Sequence, residues 1–305
     1  MYDVIIVGSG PAGLTAGLYA CRAKLSVVIF EKDVMGGEMM GTELIENYPG
    51  FPNGVMGPEL GANMVEQVTN LGAEIRLAEV LSIRVDENGK VVSTTEGDFR
   101  SKAVIIAGGS QPRKLGVPGE EEFAKRGVFY CATCDAPAFT NKVVVVVGGG
   151  DSGLTEALLL ARMASKVIVV EIMPKLGASS KILQERALAN SVIDIRCGTK
   201  IKAIRGSEKV EAVDLLDTKS GESTALRVDG VLVRVGFLPH TEYLKGLIPL
   251  NKFGQIIVNE NMETEIPGIF AAGDIRQNSL CQFSTAVGDG ATAALSLGKY
   301  LTQLT

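Results

Sequence analysis

The sequence predicts a mixed α/β protein in which two folds of one design share a chain, the second inserted within the first. Three observations predict it. A strand, glycine motif, helix, strand and acid follow one another in that order twice. Each such unit runs into a β-meander that ends in a further apolar strand. Proline- and glycine-bearing connectors stand at residues 111–118 and 236–240, where the two folds would join.

The first unit opens on an apolar strand at residues 3–7, then Gly8-Ser9-Gly10-Pro11-Ala12-Gly13, a helix to about Lys24, and a strand at 27–30 ending on Glu31. The second repeats it: a strand at 143–147, Gly148-Gly149-Gly150-Asp151-Ser152-Gly153, a helix to about Ala164, a strand at 167–170, and Glu171. From Gly13 to Glu31 and from Gly153 to Glu171 the spacing is the same 18 residues. The first glycine of such a motif permits a tight turn, the second lets backbone approach a diphosphate, and the third lets helix pack on strand. The helix N-terminus adds N–H donors and partial positive charge, and the acid receives ribose hydroxyls. A lone motif of this kind is weak evidence, whereas two copies in full βαβ context, each with its acid, predict two Rossmann-like dinucleotide-binding folds.

Each unit continues into a meander. Strands at 80–85 and 91–95 turn at Asn88-Gly89; strands at 201–204, 210–217 and 224–227 include a turn at Lys219-Ser220-Gly221. Apolar strands at 103–107, before Gly108-Gly109, and at 230–235, before Gly236, close the two meanders. The expected domains are residues 1–113, 114–241 as the insertion, and 242–305 completing the first fold.

Composition excludes several function classes. The chain has 305 residues, 46% of them hydrophobic, and 36 glycines, which suits an α/β protein with many close backbone turns. Its formal charge of -5 comes without a basic stripe, so nucleic acid is not an expected partner. No signal-peptide pattern precedes Tyr2 and no apolar run reaches spanning length, so neither membrane insertion nor export is expected and the cytoplasm is the predicted compartment. Of five cysteines only Cys131 and Cys134 are paired in sequence, which is not the framework of a secreted disulfide scaffold.

Taken in order, Gly8 to Gly13, Gly36-Gly37-Glu38, Glu46-Asn47-Tyr48-Pro49-Gly50, Cys131-Ala132-Thr133-Cys134-Asp135, the second glycine motif and Gly268 to Asp274 resemble the low-molecular-weight thioredoxin reductases over essentially the whole chain. The Cys-x-x-Cys-Asp just before the second glycine motif distinguishes them from glutathione-reductase-like enzymes, whose cysteines lie in the first domain. The resemblance implies FAD in the first domain, with Gly8, Gly10, Pro11, Ala12 and Gly13 on its diphosphate and Glu31 on the adenosine ribose. Gly36, Gly37, Glu38, Asn47 and Gly108 would surround it, and Gly273, Asp274, Gln282 and Phe283 would close over the flavin. Asp274 has a second reading as a helix-capping acid.

In disulfide exchange the nucleophile is a thiolate, and a Cys-x-x-Cys at a helix start lowers the pKa of at least one sulfur. Zinc is the competing reading, but a structural site takes four ligands, no second pair exists, and the one histidine, His240, is remote in sequence and reads as structural. By resemblance Cys134 faces the flavin, Cys131 attacks a protein disulfide, and Asp135 serves as acid-base group; Asp135 could instead cap the following turn. The resemblance also implies a homodimer, rotation of the second domain about the two connectors, and a thioredoxin-like protein as acceptor.

The pattern departs from the NADPH-using members after the second unit. There a basic cluster binds the 2′-phosphate, whereas here Glu171-Ile172-Met173-Pro174-Lys175 follows the strand. An acid accepts ribose hydroxyls and repels a phosphate, so NADH is expected over NADPH, with Gly148, Gly150, Asp151, Ser152 and Gly153 on its diphosphate. Glu171 as a solvated strand-end acid, with ferredoxin or a deazaflavin as donor, is the open alternative. Cys281 replaces the commoner Arg before Gln282-Phe283 and reads as a small buried hydrophobe; Cys21 and Cys197 read as core residues. Two further functions share these motifs in whole or part: a flavin-linked dithiol oxidase, and a dinucleotide-binding redox sensor, which would need no cysteine pair.

Overall fold

The computed structural model describes residues 1–304. They form two compact units, residues 1–111 with those from 238 on, and residues 112–237. The chain crosses between them in two short strands, Ser110–Pro112 and Phe237–Pro239, so the crossings lie a few residues before the boundaries expected at 113 and 241.

In the first unit a seven-stranded sheet runs in the order Glu74–Leu77, Val27–Glu31, Tyr2–Val7, Gly97–Ile106, Gly89–Thr94 and Val80–Asp86, with Ile269–Ala271 also pairing to Gly97–Ile106. Tyr2–Val7 is parallel to its neighbours on both sides, with Val4 opposite Val27 and Ala103. Successive side chains of a strand point to opposite faces, so a strand covered on both sides must be apolar throughout. Val4 and Ile6 accordingly pack with Leu14, Ala16 and Leu297, while Ile5 and Val7 pack on the other face with Val104, Ile106 and Leu244. Helices Pro11–Arg22, Gly57–Thr69 and Phe283–Thr302 belong to this unit. Pro11–Arg22 and Phe283–Thr302 approach so closely that a Cβ on Gly290 would come within 2.2 Å of the Ala12 carbonyl oxygen.

Residues 97–106 correct the expected strand at 103–107. They form one continuous strand whose first half pairs antiparallel with Gly89–Thr94 and whose second half pairs parallel with Tyr2–Val7, joining meander and parallel sheet. The first helix stops at Arg22, two residues short of the expected Lys24, where Lys24 takes φ +63.

The second unit has a five-stranded parallel sheet in the order Val128–Phe129, Gly230–Val233, Val143–Val147, Lys166–Glu171 and Ile193–Cys197, with a separate antiparallel meander of Thr199–Gly206, Val210–Asp217 and Ser223–Arg227. Val144 and Val146 face a helix-side core with Leu154, Ala157 and Leu160; Val145 and Val147 face the meander with Ile201, Ile204 and Val213. Helix Asp151–Leu160 ends earlier than the expected Ala164 because residues 161–163 turn. Among the described residues no helix is long and apolar enough to cross a membrane.

Candidate active site

The first glycine motif is shaped by contacts that only glycine satisfies at two of its positions. Gly8 has φ +97, and a Cβ there would lie 2.3 Å from the Ala107 carbonyl oxygen. On Gly13 it would lie 1.9 Å from the Gly8 carbonyl oxygen, so helix Pro11–Arg22 can sit against its strand only without a side chain there. Gly10 is different. Its φ of -71 suits any residue, and a Cβ would meet no protein atom within 4 Å. The glycine therefore keeps open space at the helix N-terminus, which is where a dinucleotide's diphosphate fits.

Of the other first-domain candidates, Glu31, Gly36, Gly37, Gly108 and Gly273 contact the motif itself. Glu31 is only 8% exposed and accepts hydrogen bonds from the Ser9 N–H (2.9 Å), the Ser9 hydroxyl (2.8 Å) and the Asp33 N–H (3.0 Å). Gly36 (φ +104) and Gly37 (φ +58) turn against the motif: the Gly36 N–H donates to the Ser9 hydroxyl oxygen, and a Cβ on Gly37 would lie 3.0 Å from the Gly10 Cα. Glu38 follows in the 3-10 turn Gly37–Gly41. Gly108 abuts Gly8, and Gly273 (φ +80) faces the Ala12 side chain. Asn47, far away in sequence, donates to the Gln282 side-chain oxygen at 2.9 Å, so an early segment and the last helix are tied together.

The late segment answers two expectations differently. Asp274 accepts from the Ser279 hydroxyl at 3.3 Å and makes no capping hydrogen bond, so it is not the helix cap considered above; burial pushes its carboxyl above the ordinary range. The cap of Phe283–Thr302 is Gln282, in a reciprocal box with Thr285, and Phe283 packs on the core. Behind them Asp289 accepts from the Gly273 N–H and from two nitrogens of Arg276, a buried pair that holds the Gly273-Asp274 turn. Cys281 corrects an expectation: it is exposed, in the loop ahead of the helix, where its backbone takes φ +52. Cys21 is buried as expected, and Cys197 is half-buried at a strand end.

The second motif repeats the geometry in its own unit. Gly148 has φ +113 with a would-be Cβ 2.0 Å from the Arg234 carbonyl oxygen, Gly153 would clash at 2.0 Å with the Gly148 carbonyl oxygen, and Gly150 again faces open space. Ser152 is exposed beside it. Asp151 accepts from the Ser179 hydroxyl at 2.5 Å and the Ser180 N–H at 2.9 Å, so its carboxylate anchors the next loop. Glu171 is 8% exposed and accepts from the Gly149 N–H (2.7 Å) and the Met173 N–H (2.9 Å). It is a buried acid held against the motif, which overturns its reading as a solvated strand end. A carboxylate has about four lone-pair sites, so these two bonds leave acceptors for a ribose.

Cys131 and Cys134 are joined as a disulfide with Cα atoms 5.5 Å apart, which removes both sulfurs from zinc ligation. Cys131 is the N-cap of the short helix Ala132–Asp135, and its sulfur accepts the Cys134 N–H at 3.2 Å. Phe129 and Phe139, stacked with centroids 4.5 Å apart, hold the segment at both ends. Asp135 follows directly, is exposed, and makes no capping hydrogen bond to the next turn, against the capping reading; partial burial of its carboxyl pushes its pKa up. His240 is half-buried, with its ring 5.7 Å from Tyr243, and burial lowers its pKa. Sequence reasoning missed Glu156 and Arg234, whose buried side chains pair behind the disulfide. The available signal was a lone charge, Arg234, closing the apolar run Gly230–Val233.

The family described as pyridine nucleotide-disulphide oxidoreductase matches residues 2–290. The chain belongs to this family. It is an FAD-dependent disulfide oxidoreductase of the thioredoxin reductase type. Within the family it is 45% identical over 305 residues to thioredoxin reductase of Bacillus subtilis, covering 100% of this chain and 96% of that protein. The structure is similar to Lactococcus lactis thioredoxin reductase, with TM-score 0.97, 41% identity and coverage of 99% of this chain and 100% of that one. It is also similar to T. acidophilum thioredoxin reductase, with TM-score 0.95, 36% identity and coverage of 100% and 99%.

Proposed function

We propose that the protein is a thioredoxin-disulfide reductase, taking electrons from NADH through FAD to the Cys131–Cys134 pair and on to a thioredoxin-like protein. The observation that carries this reading is the Cys131–Cys134 disulfide on a capped helical turn, with Asp135 adjoining, in the unit that holds the second dinucleotide motif. Gly8, Gly10, Pro11, Ala12, Gly13 and Glu31 would hold FAD, with Gly36, Gly37, Glu38, Asn47, Gly108, Gly273, Asp274, Gln282 and Phe283 around it. When bound, FAD supplies the electron pair that opens the disulfide.

With two electrons and two protons the disulfide becomes two thiols. The Cys131 thiolate, steadied by the Cys134 N–H, attacks one sulfur of the substrate disulfide and expels the other as a thiolate. Cys134 then attacks Cys131, restoring the Cys131–Cys134 bond and releasing the second substrate sulfur. Asp135 takes up the proton that each attacking cysteine thiol gives up and returns it to the departing substrate sulfur, and its raised pKa brings it closer to working pH. Asp135→Asn is expected to lower turnover of a thioredoxin disulfide by about 10²-fold while leaving flavin content unchanged, as loss of a general acid does. Steady-state assay of the flavin-loaded variant checks this, and full activity would remove Asp135 from the chemistry.

NADH is favoured because Glu171 is buried against the second motif and is followed by apolar, exposed Ile172 and Met173 rather than by basic side chains. An anaerobic titration with NADH, and separately NADPH, followed by oxidised thioredoxin, tests the reading. Loss of flavin absorbance with NADH at low concentration, and its recovery on adding thioredoxin, is the expected result. Bleaching by NADPH alone would overturn the donor assignment. No bleaching by either, in protein that dithionite still reduces, would point to ferredoxin or a deazaflavin.

A further inference from the structure

Residues 172–180 lead from Glu171 back to the second glycine motif and are pinned at both ends. At the near end the Met173 N–H donates to Glu171, and the Met173 carbonyl accepts from the Gly198 N–H at 2.8 Å. At the far end the Ala178 N–H donates to the Gly149 carbonyl at 3.0 Å. Asp151 takes the Ser179 hydroxyl on one carboxylate oxygen and the Ser180 N–H on the other. Ser180 in turn caps helix Lys181–Ala189 through the Leu183 N–H. All of these groups belong to the second unit.

Between those ends the segment wraps the Glu171 carboxylate. Leu176 lies so close to Gly149 that a Cβ there would come within 2.8 Å of its Cδ2, and a Cβ on Gly177 would meet only a Glu171 oxygen, at 3.9 Å. Glu171 is thus buried between motif and segment, with room left beside its carboxylate at Gly177. Asp151 stands in the first turn of helix Asp151–Leu160, where the partial positive charge favours a carboxylate but where that carboxylate would repel a diphosphate. Both of its oxygens are engaged by the segment instead. We propose, on the reading that this unit takes NADH, that Asp151 is a positioning residue rather than a ligand of the diphosphate. It latches residues 179–180 onto the motif and so holds Glu171 where it receives the adenosine ribose.

An acid that accepts a ribose hydroxyl makes the site prefer ADP over 2′-deoxy-ADP, by about tenfold for one hydrogen bond to a charged group. Isothermal titration of the flavin-loaded full chain, in which FAD fills the first motif, measures both nucleotides without turnover. Asp151→Ala removes both anchors and is expected to bring the preference below about threefold. The same variant should bind 2′-deoxy-ADP at least as well as the wild type does, since a negative charge beside the diphosphate is gone. Asp151→Asn keeps an acceptor for the Ser180 N–H and offers a donor to the Ser179 hydroxyl, so the full preference should return. Ser179→Ala, a change at an exposed hydroxyl, breaks one bond only and should fall between; it carries the test if Asp151→Ala does not fold. Full preference retained in the folded variants, at whatever overall affinity, would overturn the inference and leave the NADH reading standing. A wild type that binds neither nucleotide, or both alike, would overturn the NADH reading and the inference with it.

Discussion

Cys134→Ser is expected to abolish turnover of a protein disulfide while leaving the fold and the bound flavin intact. Cys134 is exposed on a turn that caps itself through Cys131, and a serine hydroxyl replaces its sulfur with a smaller atom at the surface, so little packing is lost. The chemistry is lost outright, because a lone thiol cannot hold a disulfide's electron pair or resolve a mixed disulfide. The same variant distinguishes the two sulfurs. If Cys131 attacks the substrate, Cys134→Ser with its remaining thiol should accumulate a mixed disulfide with oxidised thioredoxin, visible as the summed mass, whereas Cys131→Ser should not. Multiple turnovers by Cys134→Ser would sink the two-cysteine mechanism. Accumulation by Cys131→Ser alone would exchange the roles and keep the mechanism.

Gly10→Ala and Gly13→Ala are expected to part company although they lie three residues apart in one motif. At Gly10 the added methyl meets no protein atom within 4 Å and the backbone φ of -71 needs no glycine, so unfolding of the flavin-free protein should shift by no more than about 0.5 kcal/mol. Flavin content should nevertheless collapse, since the methyl stands where the diphosphate approaches. At Gly13 the methyl would lie 1.9 Å from the Gly8 carbonyl oxygen, and the helix must move off its strand, at about 1–3 kcal/mol. Urea denaturation of the two flavin-free variants, with flavin counted by absorbance after reconstitution, checks both. Normal FAD retention in Gly10→Ala would mean that this motif is not the diphosphate site.

Both glycine motifs, their acids and the cysteine pair were legible in the sequence because their chemistry is local. A turn that needs φ near +100 at Gly8 and Gly148, and a helix that cannot tolerate a Cβ at Gly13 and Gly153, leave a mark at fixed spacing. The apolar runs at 3–7 and 143–147 likewise announce strands covered on both faces. Element ends were less legible. Nothing within residues 97–106 tells that one strand serves two neighbours of opposite direction, since that depends on which strands lie beside it.

What the tertiary structure alone decided is how distant charges are placed. Whether Glu171 is solvated or buried, whether Asp274 caps a helix or accepts from Ser279, and whether Cys281 is covered are settled by packing from other segments. The Glu156–Arg234 and Asp289–Arg276 pairs show this most clearly, because Glu156 and Arg234 are 78 residues apart in sequence and only the folded sheet brings them behind Ala132. The sequence by itself determined that there are two dinucleotide folds and one adjacent cysteine pair, because each depends on neighbours within a few turns of chain. Setting the electrostatics around those cysteines took burial, since a charge acts strongly on its surroundings only where water is excluded, and exclusion of water is a property of the packed chain.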